Sequence, residues 1–449
     1  MCAGWDPVAE YKAKTKKSEA WFQEACKHLP GGVTGNVKFY SPYPLYANKA
    51  KGSHLWDLDG NEYIDYMLCF GPLILGHGHP RVMQAIKDQL AKDGSPMFGA
   101  PNELETKMAK RLKSIFPFAD SVRYTNSGLE ATLHTLRICK GAKKKGKIAK
   151  FEGAYHGSYD EVLVSLAPAV DKAGPASAPR NVPGSYGTSD ATLNNVLVLP
   201  YNDIENTVKL IRQHKDELAA VIMEPVQRGF VVPSIEFLKV VREVTQELGI
   251  ILVFDEVMSG FRMDKLGGAC TDYGVYPDMM ALGKIIGGGF PCGAFLGKRE
   301  IMDACNPLTT PKDQRVFHGG TFNGHPTVLA AGMATLDVLE EPMTYKRLNA
   351  TSDKIRNGLN DLFSRHGFDA KAIGPGSTFN IVFTKGRISS YRDAAACDSK
   401  TRQRFDYGLM ARGLHFHPDK PMYTCTEHSD KDVEQTLRAA EEVLKKMKA

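Results

Sequence analysis

Short apolar runs alternate with helix-forming segments through the middle of the chain, and this pattern constrains the fold most. The runs lie at Val122–Thr125, Ile148–Phe151, Val196–Leu199, Ala220–Met223, Ile250–Phe254, Met279–Leu282 and Ala294–Leu296. Most of them lack strict apolar–polar alternation, which predicts strands buried on both faces. Helical segments such as Leu129–Lys140 and Ile235–Leu248 separate most of the runs. We therefore predict an α/β fold with a mostly parallel central sheet covered by helices.

Both ends of the chain differ from this central part. The runs His54–Leu58 and Glu62–Tyr66 flank Asp59-Gly60, which is a strong β-hairpin signal. The first 30 residues or so predict one amphipathic helix that ends at Pro30, and Ser429 is the predicted N-cap of a closing helix. We predict a large domain over residues 76–330. Residues 1–75 and 331–449 together would form a smaller α+β domain.

Composition excludes several classes of protein. The net charge of +6 comes from 57 Lys and Arg against 51 Asp and Glu, spread along the chain, so no nucleic-acid partner is expected. No apolar run approaches the roughly 18 residues that a membrane helix needs. The nine cysteines form no CxxC pair, and His77 and His79 lack a third ligand at suitable spacing. We expect a cytoplasmic enzyme with reduced thiols and no metal site.

Polar residues follow several of the predicted strands directly. These strand ends carry Asn126-Ser127-Gly128, Glu152 to Gly157, Glu224-Pro225-Val226, Asp255-Glu256-Val257 and Gly283-Lys284. In an open parallel sheet, ligands bind beyond the carboxyl ends of the strands. We therefore expect these residues to meet at one edge of the sheet and to form a site.

Lys284 is the centre of that predicted site. Because it follows an apolar strand and precedes Ile285-Ile286, its amine should be partly desolvated, which lowers the pKa of an amine and makes it a Schiff-base nucleophile. Asp255 is suited to pair with a protonated pyridine nitrogen, and Ser127-Gly128 opens a helix whose free N–H groups favour a phosphate. Tyr155 would stack on a cofactor ring. A surface lysine, a capping aspartate and a structural turn explain these residues singly, but their combination favours a site.

Motifs along nearly the whole chain resemble the class III aminotransferases, within the branch around glutamate-1-semialdehyde 2,1-aminomutase. The matching segments are residues 30–33, 52–66, 76–80, 98–105, 126–131, 151–157, 255–262 (DEVMSGFR), 282–289 (LGKIIGGG) and 319–326 (GGTFNGHP). The DEVxxGFR and LGKxxGGG motifs at this spacing are highly specific. The resemblance implies pyridoxal 5'-phosphate (PLP) as the cofactor and the aspartate aminotransferase-like fold, fold type I.

The resemblance also implies a role for each matching residue. Lys284 would form the Schiff base with PLP and then move a proton, while Asp255 would pair with the ring nitrogen. Val257 would pack on the ring face opposite Tyr155. The other implied cofactor contacts are Ser127, Gly128 and Leu129 at the phosphate, with Glu224 and His156 beside the ring.

The expected oligomeric state depends on Thr321. In this family the threonine of the GGT segment reaches the phosphate of the partner subunit, so the resemblance implies a homodimer with shared sites.

The sequence departs from the aminomutase pattern at positions that would contact substrate. Lys38 stands where the aminomutases carry a carboxylate-binding arginine, and lysine cannot offer a bidentate fork. The C-terminal segment 416–423 lacks the glutamate of that branch. Phe39 to Tyr46 is similar to the matching stretch of β-amino acid aminotransferases, and its aromatics, Tyr40 among them, would line a less polar pocket.

Three functions follow from these observations. We expect first a transaminase, which moves an amino group from a small-molecule donor (an amino acid, a β-amino acid or an amine) to a carbonyl acceptor. The alternative is the aminomutase itself, which exchanges the amino group within one molecule to give 5-aminolevulinate. A non-catalytic PLP-fold protein is the third, and the intact Lys284, Asp255, Tyr155 and Thr321 argue against it.

Overall fold

The computed structural model describes residues 5–448, in which α-helices and β-strands are joined by turns and loops. The strands are β1 (Ala47–Lys51), β2 (His54–Asp57), β3 (Glu62–Asp65), β4 (Ser121–Thr125), β5 (Lys147–Phe151), β6 (Val196–Leu199), β7 (Leu218–Met223), β8 (Ile251–Asp255), β9 (Met279–Gly283), β10 (Gly293–Gly297), β11 (Ala370–Ile373), β12 (Thr378–Phe383), β13 (Leu414–His415) and β14 (Met422–Tyr423). The helices are α1 (Pro7–Lys14), α2 (Lys16–Ala25), α3 (Pro80–Asp93), α4 (Glu103–Ile115), α5 (Gly128–Lys143), α6 (Asp160–Leu163), α7 (Asp190–Asn194), α8 (Ile204–Gln213), α9 (Ile235–Glu247), α10 (Gly268–Tyr273), α11 (Arg299–Met302), α12 (Pro326–Leu339), α13 (Thr344–Arg365), α14 (Tyr391–Ala395), α15 (Ser399–Met410) and α16 (Asp430–Lys448). None of these helices is long and apolar enough to span a bilayer.

The described chain divides into two compact units. The central unit comprises residues 81–342 and 388–395, and the terminal unit comprises residues 5–80, 343–387 and 396–448. The predicted domain limits after residues 75 and 330 stay a prediction, which limited proteolysis with mass spectrometry would test.

A seven-stranded sheet organises the central unit. Its strand order is β4-β10-β9-β8-β7-β5-β6. The strands from β9 to β6 run parallel to their neighbours, and β10 alone is antiparallel to both β4 and β9. All seven predicted strands are present, so the α/β fold with a mostly parallel sheet is confirmed.

Burial explains why these strands read as continuous apolar runs. Every residue of β7 and β8 is buried, as is every residue of β9 and β10. Helix α5 packs on the sheet and buries Leu136, Ile138 and Cys139 against it. A strand covered on both faces has no solvent side to accept polar residues, so the alternation disappears.

The terminal unit holds a four-stranded sheet, β1-β2-β3-β13, and a three-stranded sheet, β11-β12-β14. The predicted hairpin is present, because β2 and β3 pair antiparallel across the turn at Gly60, whose φ is +89°. The prediction of a single N-terminal helix is wrong. Thr15, with φ −120° and ψ 42°, separates α1 from α2, and its hydroxyl donates to the Tyr11 carbonyl at 2.8 Å.

Asp65 carries a buried polar cluster in the terminal unit. The residue is 1% exposed, and its two carboxylate oxygens lie 2.9 Å from His415 Nδ1 and 2.7 Å from His77 Nε2. The backbone N–H groups of Met67 and Leu68 also donate to it, at 2.9 and 3.1 Å. Burial raises the pKa of the Asp65 carboxyl, but His415 and His77 outweigh burial and hold that pKa below its usual range.

Replacing Asp65 by asparagine should lower the free energy of unfolding by about 2–4 kcal/mol at pH 7, because the histidines and N–H groups lose a buried charged acceptor. A carboxyl whose folded-state pKa is depressed stabilises the fold above its unfolded pKa and loses this contribution as pH falls. The gap between wild type and Asp65→Asn should therefore narrow below about pH 4. Urea unfolding at pH 7 and pH 3 measures both effects.

The matched control is Asp430→Asn. Asp430 pairs with Lys354, but its side chain is 75% exposed, so stability should barely change. An Asp65→Asn protein as stable as this control would show that the Asp65 cluster does not stabilise the terminal unit.

Candidate active site

The carboxyl ends of five strands of the central sheet bring the predicted residues together. Ser127 follows β4, Tyr155 and His156 follow β5, Glu224 follows β7, Asp255 ends β8 and Lys284 follows β9. Since these strands run in the same direction, their carboxyl ends share one edge of the sheet.

Asp255 and His156 form a buried pair at this edge. Asp255 Oδ2 lies 2.8 Å from His156 Nδ1, and Asp255 Oδ1 accepts the Val257 N–H at 3.0 Å. The two side chains belong to residues that are 5% and 1% exposed. The His156 carbonyl is fixed in turn by the Thr132 hydroxyl, which donates to it at 2.6 Å. The carboxylate is therefore held in one orientation.

Glu224 links two loops of the site. One of its carboxylate oxygens accepts the Tyr155 N–H at 2.9 Å, and the other accepts the Arg228 N–H at 3.2 Å. Burial raises the pKa of the Glu224 carboxyl. Tyr155 remains 43% exposed, although its backbone N–H is bound by Glu224.

Lys284 has the environment expected of a nucleophilic amine. Its backbone φ is +50°, an uncommon conformation for a residue with a Cβ. Burial lowers the pKa of the Lys284 amine, while Asp255 and Glu224 act on that pKa in the opposite direction. A desolvated amine beside two carboxylates is what Schiff-base chemistry requires.

The start of α5 has the features of an anion-binding helix N-terminus. Ser127 is the N-cap of this helix, and its hydroxyl accepts the Glu130 N–H at 3.1 Å. A Cβ on Gly128 would lie 2.6 Å from the side chain of Val257, so only glycine fits there. The first N–H groups of an α-helix have no partner within the helix and bind anions readily.

Three predicted site residues lie elsewhere in the chain. Thr321 is exposed, in the turn before α12 of the central unit. Lys38 and Tyr40 belong to the terminal unit. The Lys38 amine donates to the Thr34 hydroxyl at 2.9 Å, whereas Tyr40 is 7% exposed and its hydroxyl accepts the Leu45 N–H at 2.8 Å. Their roles at the cofactor and substrate stay predictions.

Sequence reasoning missed two cations that hold the loop carrying Tyr155. Lys150, within β5, is fully buried and donates to the carbonyls of Ala154 at 3.2 Å and Val164 at 2.7 Å. Burial lowers the pKa of Lys150 to about 7. Arg228 donates to the Gly153 carbonyl at 2.6 Å. The sequence did contain a signal for Lys150, because it is the only charged residue within the predicted apolar strand Ile148–Phe151.

The residues present fit the cofactor that the resemblance implies. His156 Nε2 is buried without a hydrogen-bond partner among the described residues, beside the carboxylate of Asp255. The first turn of α5 begins at a glycine that packs against Val257, which suits a phosphate bound by helix N–H groups, and the amine of Lys284 is desolvated. No group of three or more His, Cys, Asp or Glu in residues 5–448 is placed to hold a metal ion.

Comparison with known proteins identifies the family of the chain. The family model "Aminotransferase class-III" matches residues 37–418. The chain is 41% identical to the glutamate-1-semialdehyde 2,1-aminomutase of Thermodesulfovibrio yellowstonii, over 97% of this chain and 100% of that protein.

Solved structures with the same fold include transaminases. An ω-transaminase from Sphaerobacter thermophilus superposes with a TM-score of 0.91 at 36% identity, covering 96% of this chain and 98% of that one. A transaminase solved with PLP bound superposes with a TM-score of 0.85 at 29% identity, covering 96% and 97% of the two chains. The chain therefore belongs to the class III aminotransferases and uses pyridoxal 5'-phosphate as its cofactor.

Proposed function

We propose that this enzyme is a transaminase, which passes the amino group of a donor to the carbonyl of a second small molecule. The observation that carries the proposal is Lys38, which stands where the aminomutases have a carboxylate-binding arginine. Its amine is exposed and bonded to Thr34. A single ammonium lacks the fork that grips a carboxylate in one orientation. The 36% identity to an ω-transaminase over 96% of the chain supports the same conclusion.

Each residue of the site has a separate role in the proposed reaction. PLP, when bound, supplies an aldehyde that combines with amines and a ring that withdraws electrons. Lys284 Nζ would hold the cofactor and then carry the proton that moves during transfer. Asp255, oriented by His156, would stabilise positive charge on the ring nitrogen, and the Tyr155 ring would cover one face of the cofactor. The Ser127-Gly128-Leu129 turn would bind the phosphate.

We further propose that the enzyme is a homodimer in which Thr321 of one protomer reaches the phosphate bound by the other. The exposure of Thr321 in the single chain is consistent with this arrangement. Light scattering of the purified enzyme should give twice the mass of one chain, and a fully active monomer would contradict it.

The aminomutase is the second candidate, and the curated relatives favour it. The T. yellowstonii protein, at 41% identity over 97% of this chain, bears that name. The two reactions share the cofactor and the lysine, so the residues around the ring do not separate them. They differ in whether a second molecule takes the amino group.

A donor and acceptor assay separates the two. If the enzyme is a transaminase, the PLP-loaded protein incubated with a donor alone should release one equivalent of carbonyl product per site and then stop. Adding pyruvate as acceptor should restart turnover and yield alanine. Quantification by mass spectrometry measures both phases. Conversion of glutamate-1-semialdehyde to 5-aminolevulinate without any second reactant, together with failure of all donor and acceptor pairs, would establish the aminomutase instead.

A further inference from the structure

Arg228 lies at the proposed active site without a role in holding the cofactor. It follows β7 by five residues, and its backbone N–H shares the Glu224 carboxylate with the N–H of Tyr155. Its Nε donates to the Gly153 carbonyl at 2.6 Å, two residues before Tyr155, and its Nη2 donates to Leu166 at 2.5 Å. The guanidinium is therefore fixed beside the loop that carries the ring-covering tyrosine.

The Arg228 guanidinium has no carboxylate partner within salt-bridge distance among the described residues. Arg392 differs in this respect, because its Nε and Nη2 both donate to the Glu152 carboxylate, at 2.8 and 2.9 Å. Among the described residues, both side-chain hydrogen bonds of Arg228 go instead to neutral carbonyls, which leaves Nη1 for another acceptor. Burial lowers the pKa of the Arg228 guanidinium, while Glu224 and Tyr391 act on that pKa in the opposite direction.

The local backbone and a neighbouring ring keep Arg228 in this position. Its φ is +54° and that of Gly229 is +77°, so two successive residues are left-handed, and such conformations in non-glycine residues concentrate at functional sites. The Tyr391 ring centre lies 5.8 Å from the guanidinium carbon, a cation–π distance.

We propose that Arg228 binds the carboxylate of the amino donor, so that the preferred substrates are amino acids rather than simple amines. A buried guanidinium that has an unused N–H and no ion-pair partner among the described residues is suited to bind a carboxylate. The proposal rests on the proposed transaminase function.

Two donors that differ by one carboxylate test the proposal. They are 3-amino-3-phenylpropanoate and 1-phenylethylamine, assayed with the PLP-loaded enzyme and pyruvate. Arg228→Gln should lower kcat/KM for the acid about 30-fold or more beyond any loss with the amine, chiefly through KM, because both donors share whatever the lost Gly153 contact does to the Tyr155 loop. Arg228→Lys, which keeps the charge, should recover part of the loss with the acid. Arg392→Gln gives the reference for a structural arginine, with equal losses for both donors and a lower melting temperature.

A binding measurement keeps this test independent of turnover. Calorimetric titration with 3-phenylpropanoate, which has no amine to react, should show a Kd raised about tenfold or more in Arg228→Gln. Equal losses for both donors, or an unchanged Kd, would overturn the carboxylate site while leaving the transaminase proposal intact. A wild-type protein that aminates no acceptor, yet binds 3-phenylpropanoate through Arg228, would refute the transaminase and retain the carboxylate site.

Discussion

Replacing Lys284 by alanine is expected to reduce turnover at least about a thousandfold while leaving the protein folded. The amine is proposed both to hold the cofactor and to carry the transferred proton, and removal of a positioned acid–base group alone costs a factor of about 10²–10⁴. Burial of the Lys284 amine also disfavours its charged form and so lowers the stability of the fold, as the lowered pKa of the amine indicates. The alanine variant should therefore melt at the same temperature as wild type or somewhat above it.

Covalent labelling separates this role from a general loss of activity. Borohydride reduction of the PLP-loaded wild type should fix the cofactor to the peptide containing Lys284, whereas the alanine variant should yield no labelled peptide. Added methylamine should restore a small part of the turnover, because a free amine can carry the proton.

Lys298 provides the control for this experiment. It is also the first residue after a strand of the central sheet, but it follows the antiparallel β10 and pairs with Asp278 at 2.6 Å. Lys298→Ala should keep both the label and the activity. A labelled lysine in the Lys284→Ala protein, or activity close to that of Lys298→Ala, would disprove the central assignment.

The positions of the strands and of the residues at their ends could be predicted because burial on both faces leaves a direct trace in sequence. All seven strands of the central sheet lie within three residues of their predicted limits. Once the sheet is parallel, its topology brings residues such as Asp255 and Lys284 to one edge without further information. The closing helix was equally visible, since Ser429 accepts the Asp432 N–H at 3.2 Å, as an N-cap does.

Features that depend on contacts between distant segments could not be predicted. Thr15, where the N-terminal helical segment is interrupted, lies with its hydroxyl 3.0 Å from the Tyr43 hydroxyl, a contact across 28 residues. Arg228 is joined to a loop 75 residues earlier in the chain. No periodicity or local motif encodes such pairings, because they are decided by tertiary packing rather than by helix or strand propensity.

Replacing Asp255 by asparagine should lower kcat about 100- to 1000-fold, the cost of removing one preorganised electrostatic group from an active site. The substitution keeps size and shape, and the asparagine oxygen can still accept the Val257 N–H that now lies 3.0 Å from Oδ1. What it removes is the negative charge that faces His156 and, in the proposed role, the ring nitrogen. The cofactor should therefore remain bound to Lys284, as judged by borohydride labelling, while proton transfer becomes slow.

Glu256→Gln is the matched control for Asp255→Asn, because the adjacent carboxyl is equally buried but serves a structural cluster. It accepts the Ser259 hydroxyl and the Cys270 N–H, at 2.5 and 2.7 Å, and burial raises its pKa to about 7. Its loss should lower the melting temperature with little effect on kcat. Asp255→Glu, which restores the charge at a displaced position, should recover part of the activity. If Asp255→Asn instead retains wild-type kcat and only melts earlier, the carboxylate serves to orient His156 alone, and the charge that supports the ring nitrogen must come from another residue.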